Sequence, residues 1–307
     1  MIKYYFRTVK DLAIKELLEA RTGVWVHVVA PTSDEIQSLI KDFVLDEDII
    51  SDAEDFFEVP RLERSQGATY FFTRYPFEEQ TEDSDTAPLL IIMGESFVIT
   101  IALRNVPPLQ KLIDNKEEVV TTQKAKLFIQ IMDAITYSFD AELMHLRKAV
   151  HKNRGSLRKI GPREIERLVQ YETKLNSMVD ALIPTNDWLR HVPKGNYMQL
   201  YNDDVEMMED LEIANSQLVN SARSVLKTIQ NIRSGVEAIM SSRLNNSLRV
   251  LTVLTILLMV PQVIFSLYGM NVDLPFQQNT YTFTYLAIAN ILILGILVAI
   301  FKRKNWF

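Results

Sequence analysis

The chain has 307 residues, with 33 Lys and Arg against 39 Asp and Glu, four His and no Cys, for a formal net charge of −6. The length suits one or two soluble domains plus a membrane portion. The negative balance argues against a general affinity for nucleic acid, and the lack of Cys excludes disulfides, thiolate metal sites and cysteine nucleophiles.

The first twenty residues, MIKYYFRTVKDLAIKELLEA, contain no apolar core of the signal-peptide kind, so the N-terminal part is expected to stay in the cytoplasm. GVWVHVVAPTSDEIQSLIKDF reads as a strand and then a helix opened by a capping box from Thr32 to Glu35. DAEDFFEVPRLERSQGATYFFTRYPF starts acidic, passes through Pro60, Arg61 and Glu63, and ends as a strand. His27, His145, His151 and His191 show no metal-ligand spacing. There is no phosphate-binding glycine loop, nucleophile elbow or His-Glu metal motif. Neither an enzyme nor ATP use is expected.

From about Asp203 to Met270 the only proline is Pro261, and Gly235 is the only glycine before Gly269. Leu211, Ala214, Leu218, Ala222, Val225, Ile229, Ile232, Val236 and Ile239 recur at spacings of three and four. That is a heptad seam, and it predicts one long packed helix running unbroken into the apolar region. A second stripe comprises Gln217, Asn220, Ser224, Asn231, Ser234, Ala238, Ser241 and Asn245, and continues through Leu248, Thr252, Thr255, Met259, Gln262 and Ser266. It is small, mostly polar and almost uncharged. Such a stripe serves as a solvated face leading to a helix–helix contact, or it lines a water-filled lumen. The lumen is the reading favoured here, and it requires an oligomer because one helix encloses nothing. Leu248, Leu251 and Met259 read either as packing between helices or as apolar rings that gate by dewetting.

Leu248 to Leu267 reads LRVLTVLTILLMVPQVIFSL, charged only at Arg249, and Tyr285 to Phe301 reads YLAIANILILGILVAIF, with no charge. Both are long enough to span a hydrocarbon core. Arg243 and Arg249 precede the first and Lys302, Arg303 and Lys304 follow the second, whereas the loop NVDLPFQQNTYTF has no Lys or Arg. Positive charge stays inside, so both termini are expected in the cytoplasm and the loop outside. Tyr281, Tyr285, Trp306 and Phe307 are suitable interface anchors. The first segment carries Thr252, Thr255, Pro261, Gln262 and Ser266, the second only Asn290. Polar groups at bilayer depth face protein or water, so the first span is expected inside and the second against lipid.

Between the spans stands Tyr268-Gly269-Met270-Asn271. It resembles the YGMN signature of the CorA family of divalent cation channels. The motif ends the first of two C-terminal spans, a long helix precedes it, a short loop follows, and a basic-aromatic tail, KRKNWF, closes the chain. The acidic segment leading to Pro60, Arg61 and Glu63 is also similar to the family's. The resemblance covers essentially the whole chain and is strongest after Asn245.

By that resemblance the fold is a multi-part α+β membrane protein. An α/β cytoplasmic domain covers residues 1–122, and long antiparallel helices lie in 123–200, near 123–155 and 162–190, with Gly155 and Gly161-Pro162 at their turn. A stalk helix over 201–247 continues into the first span over 248–271, followed by an outer loop over 272–284, a second span over 285–301 and a basic tail over 302–307. Family members are funnel-shaped homopentamers in the cell (inner) membrane. The resemblance implies passive Mg²⁺ transport, extending to Co²⁺ and Ni²⁺, closed by cytoplasmic Mg²⁺ bound between subunits. Asp52 or Asp55, paired with Asp210 of a neighbouring subunit, match that regulatory site by position. Mg²⁺ is thus cargo and regulator, with no organic cofactor, and the other partners are lipid and further copies of the chain, not nucleic acid.

Mg²⁺ is small, octahedral and reluctant to lose water. Carboxylates in a ring would hold it, whereas conduction needs easy exit. Five copies of Asn271 would accept hydrogen bonds from a hydrated ion, with Gly269 letting the backbone turn as the helix ends. Capping of the helix is the alternative role for both residues. Below this rim Gln262, Thr255, Thr252 and Asn245 offer neutral oxygens. Lys302, Arg303 and Lys304 form either a cationic belt at the inner mouth or an anchor to anionic lipid. Two features depart from the family. Ser234 stands where some members have an acidic ring, and Asp273 is the only carboxylate in the outer loop, so cations are concentrated less strongly at the mouth. The alternatives are a ZntB-like zinc transporter, against which Met270 argues because that branch tends to have isoleucine there, and a membrane-anchored coiled-coil scaffold without transport.

Overall fold

The computed structural model describes residues 1–77, 85–114, 116, 118–154, 160–195, 197–276, 278–304 and 306. Gly155, expected in a helix turn, and Phe307, expected as an anchor, lie outside the described residues. The chain divides into two compact units, Met1–Ile232 and Arg233–Phe307.

The first unit is built on a sheet of β1 (Ile2–Phe6), β2 (Lys15–Leu17), β3 (Val24–Val29), β4 (Leu62–Ser65), β5 (Ala68–Pro76), β6 (Thr86–Met93) and β7 (Phe97–Ala102). Their order across the sheet is β2-β1-β3-β7-β6-β5-β4, with β3 parallel to β7 and the other neighbours antiparallel. The central strands read as apolar runs, such as TAPLLIIM in β6, because both faces are covered. On one face Val24, Val26 and Val28 join Ile36 and Leu39 of α1 (Ser33–Phe43) and Ile49 and Ile50 of α2 (Glu47–Asp52). On the other, Phe71 of β5 meets Phe128 of α4 (Lys124–Arg154) with ring centroids 4.5 Å apart, and Trp188 of α5 (Pro162–His191) at 5.3 Å. A short α3 (Gln110–Ile113) leads into α4.

Local sequence explains the helix starts. The expected capping box is present: the Glu35 N–H donates to Thr32 Oγ1, and the Thr32 N–H donates to Glu35 Oε2 at 2.9 Å. Helix α5 opens on Pro162, where a missing N–H costs nothing, and the Gly161 N–H donates to the Glu164 carboxylate at 3.0 Å.

Helix α6 (Asn202–Tyr268) has 67 residues and carries Pro261 without interruption. Within the first unit it runs antiparallel to α5: Glu212 pairs with Arg190 at 2.8 Å, and Asn215 Nδ2 donates to the Leu182 carbonyl at 2.9 Å. The expected seam is its buried face, with Leu211, Leu218, Ala222, Val225, Ile229, Ile232 and Val236 buried and Ala214 and Ile239 half-buried. Asn215, absent from the apolar pattern, is 1% exposed in that face. Its amide also donates to Asn186 Oδ1 at 3.3 Å, which supplies the partners a buried amide needs. The second unit holds the remainder of α6 and α7 (Thr282–Arg303).

His27 of β3 is buried, with Nδ1 2.9 Å from Thr100 Oγ1, which also accepts from Trp25 Nε1 at 3.0 Å. Burial, helped by Lys3, pushes its imidazole down to about 4. The unfolded chain therefore binds more protons below the usual histidine range, so the stabilisation is complete above about pH 6.5 and is lost as pH falls toward 4. The expected signature is a stability slope of up to about 1.4 kcal/mol per pH unit in that window. Denaturant titrations of wild type and His27→Gln at pH 7, 5.5 and 4.5 check it: the variant should show a flatter dependence, and equal slopes would refute the assignment.

Candidate functional site

Two helices, α6 and α7, are long and apolar enough to cross a membrane, and only 6% of the most apolar window of each is buried. Buried core helices would be covered by protein; these are not. Each has one covered stripe. On α6 it includes Val253, Ile256, Leu257, Val260 and Ile264, and on α7 Leu286, Ala287, Asn290, Leu294 and Leu297, which share one face of each helix. Asn290 is the buried polar residue of α7, with Nδ2 donating to the Leu286 carbonyl at 3.3 Å and Oδ1 without a partner among the described residues.

The polar stripe of α6 is a different face. Asn245, Leu248, Leu251, Thr252, Thr255, Met259, Gln262 and Ser266 are all exposed. The Thr252 hydroxyl donates to the Leu248 carbonyl at 2.8 Å and that of Thr255 to the Leu251 carbonyl at 2.9 Å. With their protons committed to the backbone, both oxygens present only lone pairs outward. The helix therefore displays acceptors along this face, as a cation or its water shell requires. Farther down, Ala238, Ser241, Ser242, Asn245, Asn246 and Arg249 line a shallow polar groove on α6.

At the end of α6, Tyr268 is the last helical residue and its hydroxyl donates to the Pro275 carbonyl at 3.3 Å, tying the loop to the helix end. The Gly269 N–H donates to the Phe265 carbonyl at 3.0 Å. The expected conformational role of Gly269 is not what its backbone displays. Its φ lies outside the left-handed region, and a Cβ would sit 3.4 Å from the Phe265 oxygen, an ordinary contact. Met270 and Asn271 are exposed, and among the described residues the Asn271 amide has no hydrogen-bond partner. Asn271 thus makes no side-chain cap, and its oxygen is available. Asp273 in the loop is exposed, as are Lys302, Arg303 and Lys304 at the other end of α7. Trp306 stacks on Phe301 with centroids 5.7 Å apart.

The acidic candidates lie in the first unit. Asp52 ends α2, Asp55 follows, and Asp210 is on the early part of α6; all three are exposed. Asp52 Oδ2 is 2.6 Å from Arg61 Nη2. Asp55 Oδ1 accepts from the Phe57 N–H at 2.9 Å. Among the described residues no three His, Asp or Glu side chains come together as a metal site, so Asp52, Asp55 and Asp210 are not assembled within one chain. Their oxygens are hard donors of the kind Mg²⁺ takes.

Sequence reasoning missed Arg74, which holds the acidic segment in place. It is 7% exposed, and its guanidinium donates to the carbonyls of Phe56 at 3.0 Å, Glu58 at 2.8 Å and Thr86 at 2.7 Å and to Thr86 Oγ1 at 2.9 Å. Burial lowers its pKa and the nearby Asp55 opposes that shift. An arginine inside the otherwise apolar strand ATYFFTRYP was the available signal, since a charge in a covered strand needs partners.

A family model described as CorA-like Mg²⁺ transporter protein matches residues 21–303. The chain is 26% identical over 293 residues to the cobalt/magnesium transport protein CorA of Methanocaldococcus jannaschii, covering 92% of this chain and 91% of that protein. The complete structure of the CorA magnesium transporter from Methanocaldococcus jannaschii superposes with a TM-score of 0.88 at 22% identity, over 100% of this chain and 99% of that one. The crystal structure of the ZntB cytoplasmic domain from Vibrio parahaemolyticus is matched with a TM-score of 0.66 at 11% identity, over 78% of this chain and 98% of that one. These superpositions establish the fold, an α/β unit followed by a long helix and a second apolar helix. With the family match running from just before β3 to the end of α7, the chain belongs to the CorA-like Mg²⁺ transporter family.

Proposed function

We propose that this chain carries Mg²⁺ across the cell membrane as a homopentameric channel, passively and without ATP. The observation that supports it most directly is the exposed stripe from Asn245 to Ser266, rich in acceptors and separate from the stripe that is covered within the second unit. Polar oxygens at bilayer depth require water or protein opposite them, and symmetric copies of α6 around an axis supply both. In this reading α6 is the inner helix and α7 faces lipid, with both termini in the cytoplasm.

Asn271, at the end of α6 and without a side-chain partner among the described residues, forms the rim. Its carbonyl oxygen accepts hydrogen bonds from the inner water shell of Mg²⁺, so the ion is held without being stripped. Gln262, Thr255, Thr252 and Asn245 continue the path with neutral oxygens, and Met259, Leu251 and Leu248 are its constrictions. Asp273 stands at the outer mouth and Lys302, Arg303 and Lys304 form a belt at the inner one. An inside-negative potential favours entry by about 2.3 kcal/mol per charge per 100 mV. Co²⁺ and Ni²⁺ share the octahedral oxygen chemistry and are accepted less selectively because the mouth carries a single carboxylate per chain.

Cytoplasmic Mg²⁺ closes the channel by bridging Asp52 or Asp55 of one chain and Asp210 of the next. The exposure of all three, and their separation within one chain, support a site completed by a neighbour.

Two experiments test these assignments. Mg²⁺ flux into liposomes should fall to the leak of empty vesicles in Asn271→Ala while the assembly keeps its size on gel filtration. Wild-type-like flux would remove Asn271 from the path, and no flux in wild type would leave only a scaffold. For regulation, Asp210→Ala should raise the Mg²⁺ needed for protection from proteolysis by about tenfold or more, the equivalent of one charge-assisted contact. Unchanged protection would count against this site.

A further inference from the structure

Arg61 occupies an unusual position. Each of its three guanidinium nitrogens goes to a different carboxylate: Nη2 to Asp52 at 2.6 Å, Nη1 to Glu58 and Nε to Glu63. Its guanidinium carbon lies 4.1 Å from the centroid of the Phe72 ring, in a cation–π contact. Its backbone is fixed as well, because the Arg61 N–H donates to the Phe72 carbonyl at 3.2 Å and the Phe72 N–H donates back at 2.8 Å. One cation thus serves three anions, and two negative charges stay uncompensated.

The three carboxylates are not equivalent. The Glu58 side chain is 15% exposed and also accepts from the Val59 N–H at 3.0 Å. Glu63 sits on β4, which is paired to β5. Asp52 is the outermost, its side chain 50% exposed, and Arg61 is its side-chain partner. Helix α2 ends on Asp52 with no basic residue in its last turn, and among the described residues the compensating charge comes from Arg61. A cation arriving from water meets Asp52 first. Arg61 holds Oδ2, so engaging the whole carboxylate displaces one N–H of Arg61, and the guanidinium keeps Glu58, Glu63 and Phe72 when it yields.

We propose that Arg61 is an internal competitor for Asp52, and that it sets the Mg²⁺ concentration at which the chain responds. This rests on the regulatory reading in which Asp52 is the bridging carboxylate. Mg²⁺ takes hard, negatively charged oxygens; with Arg61 on Oδ2, Asp52 meets the ion with its charge already offset and offers both oxygens only after exchange. The resident guanidinium weakens the site and keeps it vacant at low Mg²⁺. Glu58 and Glu63 act on the same balance from the other side, since each draws the guanidinium away from Asp52.

The test is limited proteolysis of the full-length protein in detergent across a Mg²⁺ titration. Arg61→Gln should lower the midpoint of protection by about fivefold, the scale of one half-exposed ion pair. Glu63→Gln should raise it, because the freed guanidinium commits more fully to Asp52. A general field effect would give the same two signs, so the double variant decides: under competition, Glu63→Gln loses its effect once Arg61 is Gln, whereas a field effect persists and adds. Additivity, or an unmoved midpoint in Glu63→Gln, overturns the proposal even if Arg61→Gln assembles poorly. Wild type with no Mg²⁺-dependent protection would instead sink the regulatory reading itself, and this proposal with it.

Discussion

Hydrocarbon offers no hydrogen bonds, and that constraint shapes the C-terminal part of this protein. Helix α6 satisfies its backbone internally, and Thr252 and Thr255 turn their hydroxyl protons onto the preceding turn. Their lone pairs, the Gln262 amide and the Asn271 amide are still left outward. A two-helix hairpin has one buried stripe to give, and it is used by Val253, Ile256, Leu257 and Val260 together with Asn290 on α7. A polar stripe at bilayer depth needs water or protein opposite it, and in the proposed assembly water held between copies of α6 meets that requirement.

The first unit solves a different problem. Its central strands are covered on both faces, so charges within it have to be individually partnered. Arg74 is the clearest case: its donors are spent on carbonyls of the segment around Phe56 and Glu58 and on Thr86, which pins an acidic surface segment to a rigid sheet. Arg61 then gathers Asp52, Glu58 and Glu63 onto that segment's edge. One arginine fixes the backbone and the other organises the carboxylates. Asp52 and Asp55 are consequently held on a rigid support rather than on a loose loop.

What could be read from the sequence follows the range of the interactions. The two spans, the heptad seam and the Thr32–Glu35 capping box depend on neighbours within a few turns, and the structure carries all of them. The sheet order was not legible, because β3 pairs in parallel with β7 across α1, α2 and three intervening strands. Apolar runs covered on both faces carry no record of their partners. Asn215 was invisible for a related reason: its burial depends on Leu182 and Asn186 of another helix. For the site, the Tyr268–Asn271 motif and the polar stripe were plain, whereas the engagement of Asp52 by Arg61 joins residues that only the fold of the segment between them brings together. Gly269 is instructive in the opposite direction: its motif is plain in the sequence, but the chain's own backbone makes no use of the glycine's freedom.

The proposed path and the proposed sensor divide oxygen chemistry between them. A conducting rim must release its ion quickly, and a neutral amide that touches only the ion's water holds weakly enough to do so. A sensor must discriminate concentration, which needs ionised carboxylates, but several of them on one ion can hold it too tightly to report a falling level. Placing a guanidinium on the exposed carboxylate resolves that conflict, because the site keeps its charge and loses its excess affinity. The neutral stripe of α6 and the arginine-bound carboxylates of the first unit are two answers to one requirement: Mg²⁺ has to be bound and then let go.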